Sequence, residues 1–135
     1  MASFIGPNWR WRAIRYQVLI LVFGKTGQVA TELQRLGGVI ALGRDQVDLS
    51  DPKACSDAIW HHEPRAVINA AAYTAVDRAE GEEALATIIN GDAPAAMAGT
   101  CSALGIPLVH ISADYVLDGT GTVPWQPNDL TAPQC

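Results

Sequence analysis

The chain has 135 residues, 49% of them hydrophobic, 17% charged and 7% aromatic, which suits one compact domain with a buried core and excludes disorder as its main description. Its net charge of -5 is uneven: the first sixteen residues hold Arg10, Arg12 and Arg15 and no acid, so residues 17–135 carry six basic against fourteen acidic side chains, a net -8. A body that acidic repels phosphate backbones and excludes nucleic acid as the main partner.

In chain order, residues 1–16, with Trp9-Arg10-Trp11-Arg12, are expected to form a poorly ordered extension. Val18 to Phe23 is a continuous apolar run, as in a strand buried on both faces. It is far short of the roughly twenty residues that a spanning helix needs, and shorter than a signal-peptide core of about 7–15 residues; no membrane association is expected. Gln28 to Leu36 reads as a helix with Val29, Leu33 and Leu36 on one side, stopped by Gly37-Gly38. Val39 to Leu42 is a second strand. Ser50 or Asp51 caps a helix that starts at Pro52 and runs to about His61, with Pro64 at its exit.

Ala66 to Ala71 is a third buried strand. Asp77 to Asn90 and Ala93 to Leu104 form one helix, or two with a break near Gly91-Asp92, closed by Gly105. Pro107 to Ile111 is a fourth strand, and beyond Asp118 the composition suggests a loop. This alternation predicts an α/β fold, a doubly wound parallel sheet with right-handed crossovers, spanning residues 17–135 as one domain.

Gly24-Lys25-Thr26-Gly27-Gln28-Val29-Ala30 lies between the first strand and the first helix. A dinucleotide site needs a tight turn there, bare backbone near the diphosphate, and a small residue where helix meets strand. Gly24, Gly27 and Ala30 meet those needs, and a plain glycine turn is the alternative. A triphosphate-binding loop would need a further glycine where Leu19 stands. After the second strand, Gly43-Arg44 replaces the acid usual in NAD sites and tilts the choice toward NADPH; a solvated Arg44 is equally open. Asp48-Leu49 falls where an adenine-contacting loop would lie, although Asp48 also suits a helix cap. Asn69-Ala70-Ala71-Ala72-Tyr73-Thr74 and Ile111-Ser112-Ala113-Asp114-Tyr115-Val116 end the third and fourth strands at the ligand-binding edge.

Other residues have plainer readings. Cys55, Cys101 and Cys135, an odd count without C-x-x-C spacing, favour neither a disulfide framework nor a zinc site and suit a reducing, cytoplasmic setting. His61-His62 is expected to meet a helix dipole and not a metal, and His110 to be a core or subsite histidine. Glu80, Glu82 and Glu83 read as a solvated acidic face, and Trp60 and Trp125 as packing residues.

The segments G-K-T-G-Q-V, N-A-A-A-Y-T-A-V-D-R-A-E and H-I-S-A-D-Y-V-L-D-G-T-G resemble dTDP-4-dehydrorhamnose reductase, an extended short-chain dehydrogenase/reductase, in order and spacing from about Val18 to Pro133. The resemblance implies the NAD(P)-binding part of a Rossmann fold, ending after about the fourth strand. It also implies reduction by NADPH or NADH of the C4 keto group of dTDP-4-dehydro-L-rhamnose, for dTDP-L-rhamnose and polysaccharide synthesis. By position, Gly24, Lys25, Thr26, Gly27, Gln28 and Val29 would line the diphosphate, and Arg44, Asp48 and Leu49 the adenosine end. Ala71, Ala72, Tyr73, Thr74 and Ile111 would lie along the cofactor, with Asn90 supporting the active site and Asp114 and Tyr115 near substrate. The full-length family implies a dTDP-sugar substrate and leaves a homodimer open.

Two departures bear on activity. The family's Ser/Thr, which steadies the developing alkoxide, is here Ala113, and loss of such a donor costs on the order of 10²–10³ in rate. The Y-x-x-x-K pair, in which Lys lowers the Tyr pKa for proton donation, is absent, since the sequence ends at Cys135. The chain alone is therefore expected to be inactive, marginally stable and prone to associate. A non-catalytic regulatory subunit, like the beta subunit of methionine adenosyltransferase, is the alternative.

Overall fold

A computed structural model describes residues 19–113 and 116–133. The N-terminal extension, Val18, Asp114, Tyr115 and Cys135 lie outside the described residues. The elements are β1 (Ile20–Phe23), α1 (Gln28–Leu36), β2 (Val39–Leu42), α2 (Pro52–His62), β3 (Ala66–Asn69), α3 (Val76–Ala79), α4 (Glu83–Thr87), a π-helical turn (Ile88–Asp92), α5 (Ala93–Leu104) and β4 (Leu108–His110). The four strands pair in parallel in the order β2-β1-β3-β4. The chain steps from β1 to β2 in one direction, then to β3 and β4 in the other. Right-handed crossovers therefore put α1 on one face and α2 and α5 on the opposite face, the doubly wound arrangement expected from the sequence.

Local chemistry sets the element ends. Of the two capping candidates before α2, the structure uses Asp51, whose carboxylate accepts from the Ala54 N–H at 3.1 Å, with Pro52 opening the helix. Gly105 closes α5 in a left-handed conformation (φ +66°). The Ile106 N–H reaches the Cys101 carbonyl at 3.0 Å and the Gly105 N–H the Ser102 carbonyl at 3.2 Å, so the last orphan carbonyls are satisfied. The long helical stretch differs from expectation. Its break falls at Glu80–Glu82, after the short α3, whereas at Gly91-Asp92 the backbone runs on through the π turn into α5.

Leu21, Phe23, Leu42 and Val67 face α2 and α5, where they meet Cys55, Ile59, Met97 and Cys101 in one buried cluster. Burial pushes the Cys55 thiol up to about 11, with Asp51 and Asp48 adding to the shift. The opposite face is less covered. On α1 only Ala30 is buried, while Val29 and Leu36 are exposed, Leu36 by 84%. Of the three apolar residues expected on one side of this helix, Leu33 is half-buried and the other two are exposed: α1 packs along β2, and no other crossover helix among the described residues flanks it. Val109 of the edge strand β4 is likewise 55% exposed. Trp60 and Trp125, expected to be packing residues, are exposed as well.

Met97→Ala is expected to lower the unfolding free energy by about 2–5 kcal/mol, and Leu36→Ala by no more than about 0.5 kcal/mol, both read from urea titrations. Cys55 should resist alkylation at about pH 8 until the chain unfolds, as peptide mapping of the labelled protein would show.

Candidate functional site

The chain leaves β1 at Gly24, whose φ of +107° favours glycine. The Gly24 N–H donates to the Leu42 carbonyl at the end of β2, at 2.9 Å. A Cβ at Gly24 would stand 3.1 Å from the Ala70 carbonyl oxygen just past β3. The turn is thus wedged between the carboxyl ends of both neighbouring strands. Gly27 has ordinary extended backbone and is the N-cap of α1, which has no side-chain cap and no acid in its first turn. Its leading N–H groups and the positive end of its dipole are left available.

These features open on a cleft of about 660 Å³, within the roughly 300–1,000 Å³ usual for small-molecule sites. Three loops at the carboxyl edge of the sheet build it. The first contributes Gly24, Lys25, Thr26 and Gly27, and the second Gly43, Arg44, Asp48 and Leu49. The third contributes Ala70, Ala71, Ala72, Tyr73 and Thr74. Gln28, Val29, Asn90, Ile111 and Ala113, also singled out in the sequence, do not line the cleft. Leu42, Asp45, Val47, Ala75 and Ile89 line it without having been singled out. Leu42 and Ile89 are also buried, so in sequence they look like any core residue.

The second loop is tied to the first. Gln46 accepts from the Gly43 N–H at 3.2 Å and from Lys25 Nζ at 3.4 Å. A Cβ at Gly43 would displace the Asp45 carboxylate and stand 3.2 Å from the Lys25 side chain. Arg44 Nε donates to Asp48 Oδ2 at 3.0 Å, and the Ser50 N–H donates to Asp48 Oδ1 at 2.9 Å. The Ser50 N–H is the main reason that the Asp48 carboxyl lies below its ordinary range, with burial opposing and Arg44 assisting. Asp48 therefore shapes the turn before α2, and the cap itself is Asp51. Arg44 stays mostly in solvent, its side chain 76% exposed.

Polar side chains behind the cleft fix the third loop. Asn69 is buried; its Nδ2–H donates to His110 Nδ1 at 3.1 Å and its Oδ1 accepts from the Ala71 N–H at 3.2 Å. His110 is thus an exposed residue that pins a buried amide. Asn90, presented by the π turn, accepts from the Tyr73 N–H at 2.8 Å and donates to the Tyr73 carbonyl at 3.1 Å. Glu82, expected to be merely solvated, instead accepts from both the Tyr73 hydroxyl and Arg78. His62 Nδ1 bonds the Ala58 carbonyl at the end of α2. Among the described residues no group of three His, Cys, Asp or Glu is placed to hold a metal, and no helix is long and apolar enough to cross a membrane.

Gly24→Ala should cost about 1–3 kcal/mol of unfolding free energy, because the backbone there is strained for any residue with a Cβ. Gly27→Ala, whose Cβ would come no closer than 4.0 Å to the Ala70 carbonyl oxygen, should cost markedly less in the same urea titration.

The sequence pattern of the family described as "RmlD substrate binding domain" matches residues 18–135. The chain is 44% identical over 122 residues to dTDP-4-dehydrorhamnose reductase of Salmonella typhimurium, covering 84% of this chain and 41% of that protein. It is 41% identical over 139 residues to the Streptomyces griseus reductase, covering 99% and 42%. Among solved structures, the Clostridium acetobutylicum dTDP-4-dehydrorhamnose reductase superposes with a TM-score of 0.78 at 36% identity, over 86% of this chain and 43% of that one. The Bacillus anthracis enzyme, solved in complex with NADP, gives 0.78 at 28% identity, over 85% and 43%. The chain spans about two fifths of the length of these relatives. It belongs to the RmlD substrate binding domain family, and the relatives just described are dTDP-4-dehydrorhamnose reductases.

Proposed function

We propose that the cleft holds NADP(H), and that the chain is the cofactor-binding part of a reductase acting on the C4 ketone of dTDP-4-dehydro-L-rhamnose. The observation that carries this reading is the Gly24 turn, closed by a Cβ-free contact with Ala70 and opening onto the uncapped start of α1. The donor set fits a dinucleotide: the N–H groups at the start of α1 would face a diphosphate, and Lys25 and Arg44, the latter paired with Asp48, bring cations to the cleft. A relative solved with NADP bound, at a TM-score of 0.78, supports the choice of ligand.

In this reading Gly24 to Gly27 would hold the diphosphate at the start of α1. Arg44 and Lys25 face a 2′-phosphate, with Asp48 keeping the Arg44 guanidinium over the loop and Leu49 beside the adenine. Ala71 to Thr74 shape the wall along which the nicotinamide half is oriented, and Asn90 holds that wall through Tyr73. When bound, the nicotinamide ring supplies hydride. Ala113 offers no hydroxyl to a developing alkoxide, and the 135 residues contain no Tyr-x-x-x-Lys to supply a proton. The chain's own residues thus bind and orient, and we expect no turnover from them alone. The lost hydroxyl at Ala113 also favours a second reading, a non-catalytic NAD(P)-binding subunit; substrate-dependent NADPH oxidation by the chain would exclude it.

A fluorescence titration with NADPH and NADH tests the cofactor assignment. Arg44→Ala should weaken NADPH binding roughly 10- to 100-fold, as expected for a lost charge-assisted hydrogen bond, and leave NADH nearly unchanged. Equal weakening of both would remove Arg44 from the phosphate site, and no binding of either by the unaltered chain would overturn the cofactor reading.

A further inference from the structure

Residues 70–75 wall one side of the cleft yet belong to no helix or strand. The Ala70 N–H is held by the Phe23 carbonyl at 2.9 Å and the Ala71 N–H by the Asn69 side chain. Past Ala71, the Ala75 carbonyl accepts from the neighbouring Arg78 and Ala79 N–H groups, and the longer-range hydrogen bonds that anchor the wall run through Tyr73. Asn90 takes its backbone, and its hydroxyl donates to Glu82 Oε2 at 2.6 Å. The Tyr73 ring is partly buried against the main hydrophobic cluster. Glu82 sits in the break between α3 and α4, and its second oxygen accepts from Arg78 Nη2 at 2.6 Å.

We propose that Glu82 is a positioning residue for the cleft: its carboxylate latches the Tyr73 hydroxyl and thereby sets the place of the 71–75 wall. The consequence for cofactor affinity rests on the NADP(H) reading above, whereas the latch itself does not. A hydroxyl–carboxylate bond of this length is of the charge-assisted kind. The Tyr73 hydroxyl and Arg78 hold the Glu82 carboxyl below its ordinary range, so the acceptor is ionised at neutral pH. The Arg78 partner is 71% exposed, and solvent screens that half of the arrangement. The Tyr73 bond therefore carries the latch, and Arg78 orients the carboxylate. Asn90 fixes the backbone of Tyr73 and the hydrophobic cluster packs one side of its ring; Glu82 fixes the far end of the ring at the hydroxyl.

The test combines amide hydrogen exchange at residues 72–75 with NADPH titration, using the whole 135-residue chain. Glu82→Ala and Tyr73→Phe should each speed exchange there about three- to tenfold and weaken NADPH several-fold, with the urea midpoint little changed. The double variant should be no worse than either single one, and Glu82→Gln, which keeps an acceptor oxygen, should recover most of the loss. Unchanged exchange in Glu82→Ala would overturn the latch, as would additive effects in the double variant. If the unaltered chain fails to bind NADPH, the cofactor reading falls, and the exchange rates still decide the latch.

Discussion

The parallel pairing of β1 with both β2 and β3 is the constraint from which the rest of the structure follows. Parallel neighbours cannot be joined by a hairpin, so each connection must cross a face of the sheet, and all four carboxyl ends arrive at one edge. Because β2 lies to one side of β1 and β3 to the other, the crossovers diverge at the end of β1 and leave a crevice there. Gly24 is the residue at that divergence. Its positive φ lets the chain leave β1 while its N–H still bonds the end of β2 and its bare Cα lies against the end of β3. A side chain at that point would press on the Ala70 carbonyl and push the third loop away from the first.

The two faces of the sheet differ in how completely they are sealed. On one, α2 and α5 pack together over Leu21, Phe23 and Val67, and two cysteine thiols are buried deeply enough to be raised above their ordinary range. On the other, α1 buries Ala30 and leaves Val29 and Leu36 to solvent. The site sits at the edge common to both faces, so its geometry depends less on the covering of either than on its loops. Side chains hold those loops: Gln46 joins the first to the second, Asp48 closes the second, and Asn69, Asn90 and Glu82 brace the third.

Much of this was legible in the sequence, for identifiable reasons. Apolar runs of four to six residues punctuated by glycine and proline marked the strands, and Gln28–Leu36 and Val39–Leu42 came out with the bounds that the structure shows. Gly24 stood out because a turn directly after a buried strand demands it. The failures are equally physical. Periodicity put Val29, Leu33 and Leu36 on one side of α1 but carries no information on whether another element covers that side, and Val29 and Leu36 are left exposed. The π turn at Ile88–Asp92 was hidden because Gly91 suggests a break, whereas an inserted residue lets the helix continue. Glu82 looked like one of several solvated acids, since its partner Tyr73 lies nine residues away and meets it only through the break at Glu80–Glu82.

The family relation places the chain beside dTDP-4-dehydrorhamnose reductases while covering about two fifths of their length. What its own residues supply is a glycine turn open to the start of α1, a second loop that carries Arg44 beside Asp45 and Asp48, and a braced third loop. The central claim, that these three loops together form a dinucleotide site, is tested most directly by amide-resolved NMR of the 135-residue chain with and without NADPH. The account predicts that the largest shifts fall on residues 24–29, 43–49 and 71–75, with the α2–α5 interface undisturbed. Shifts confined to other surfaces, or absent at saturating NADPH, would contradict it.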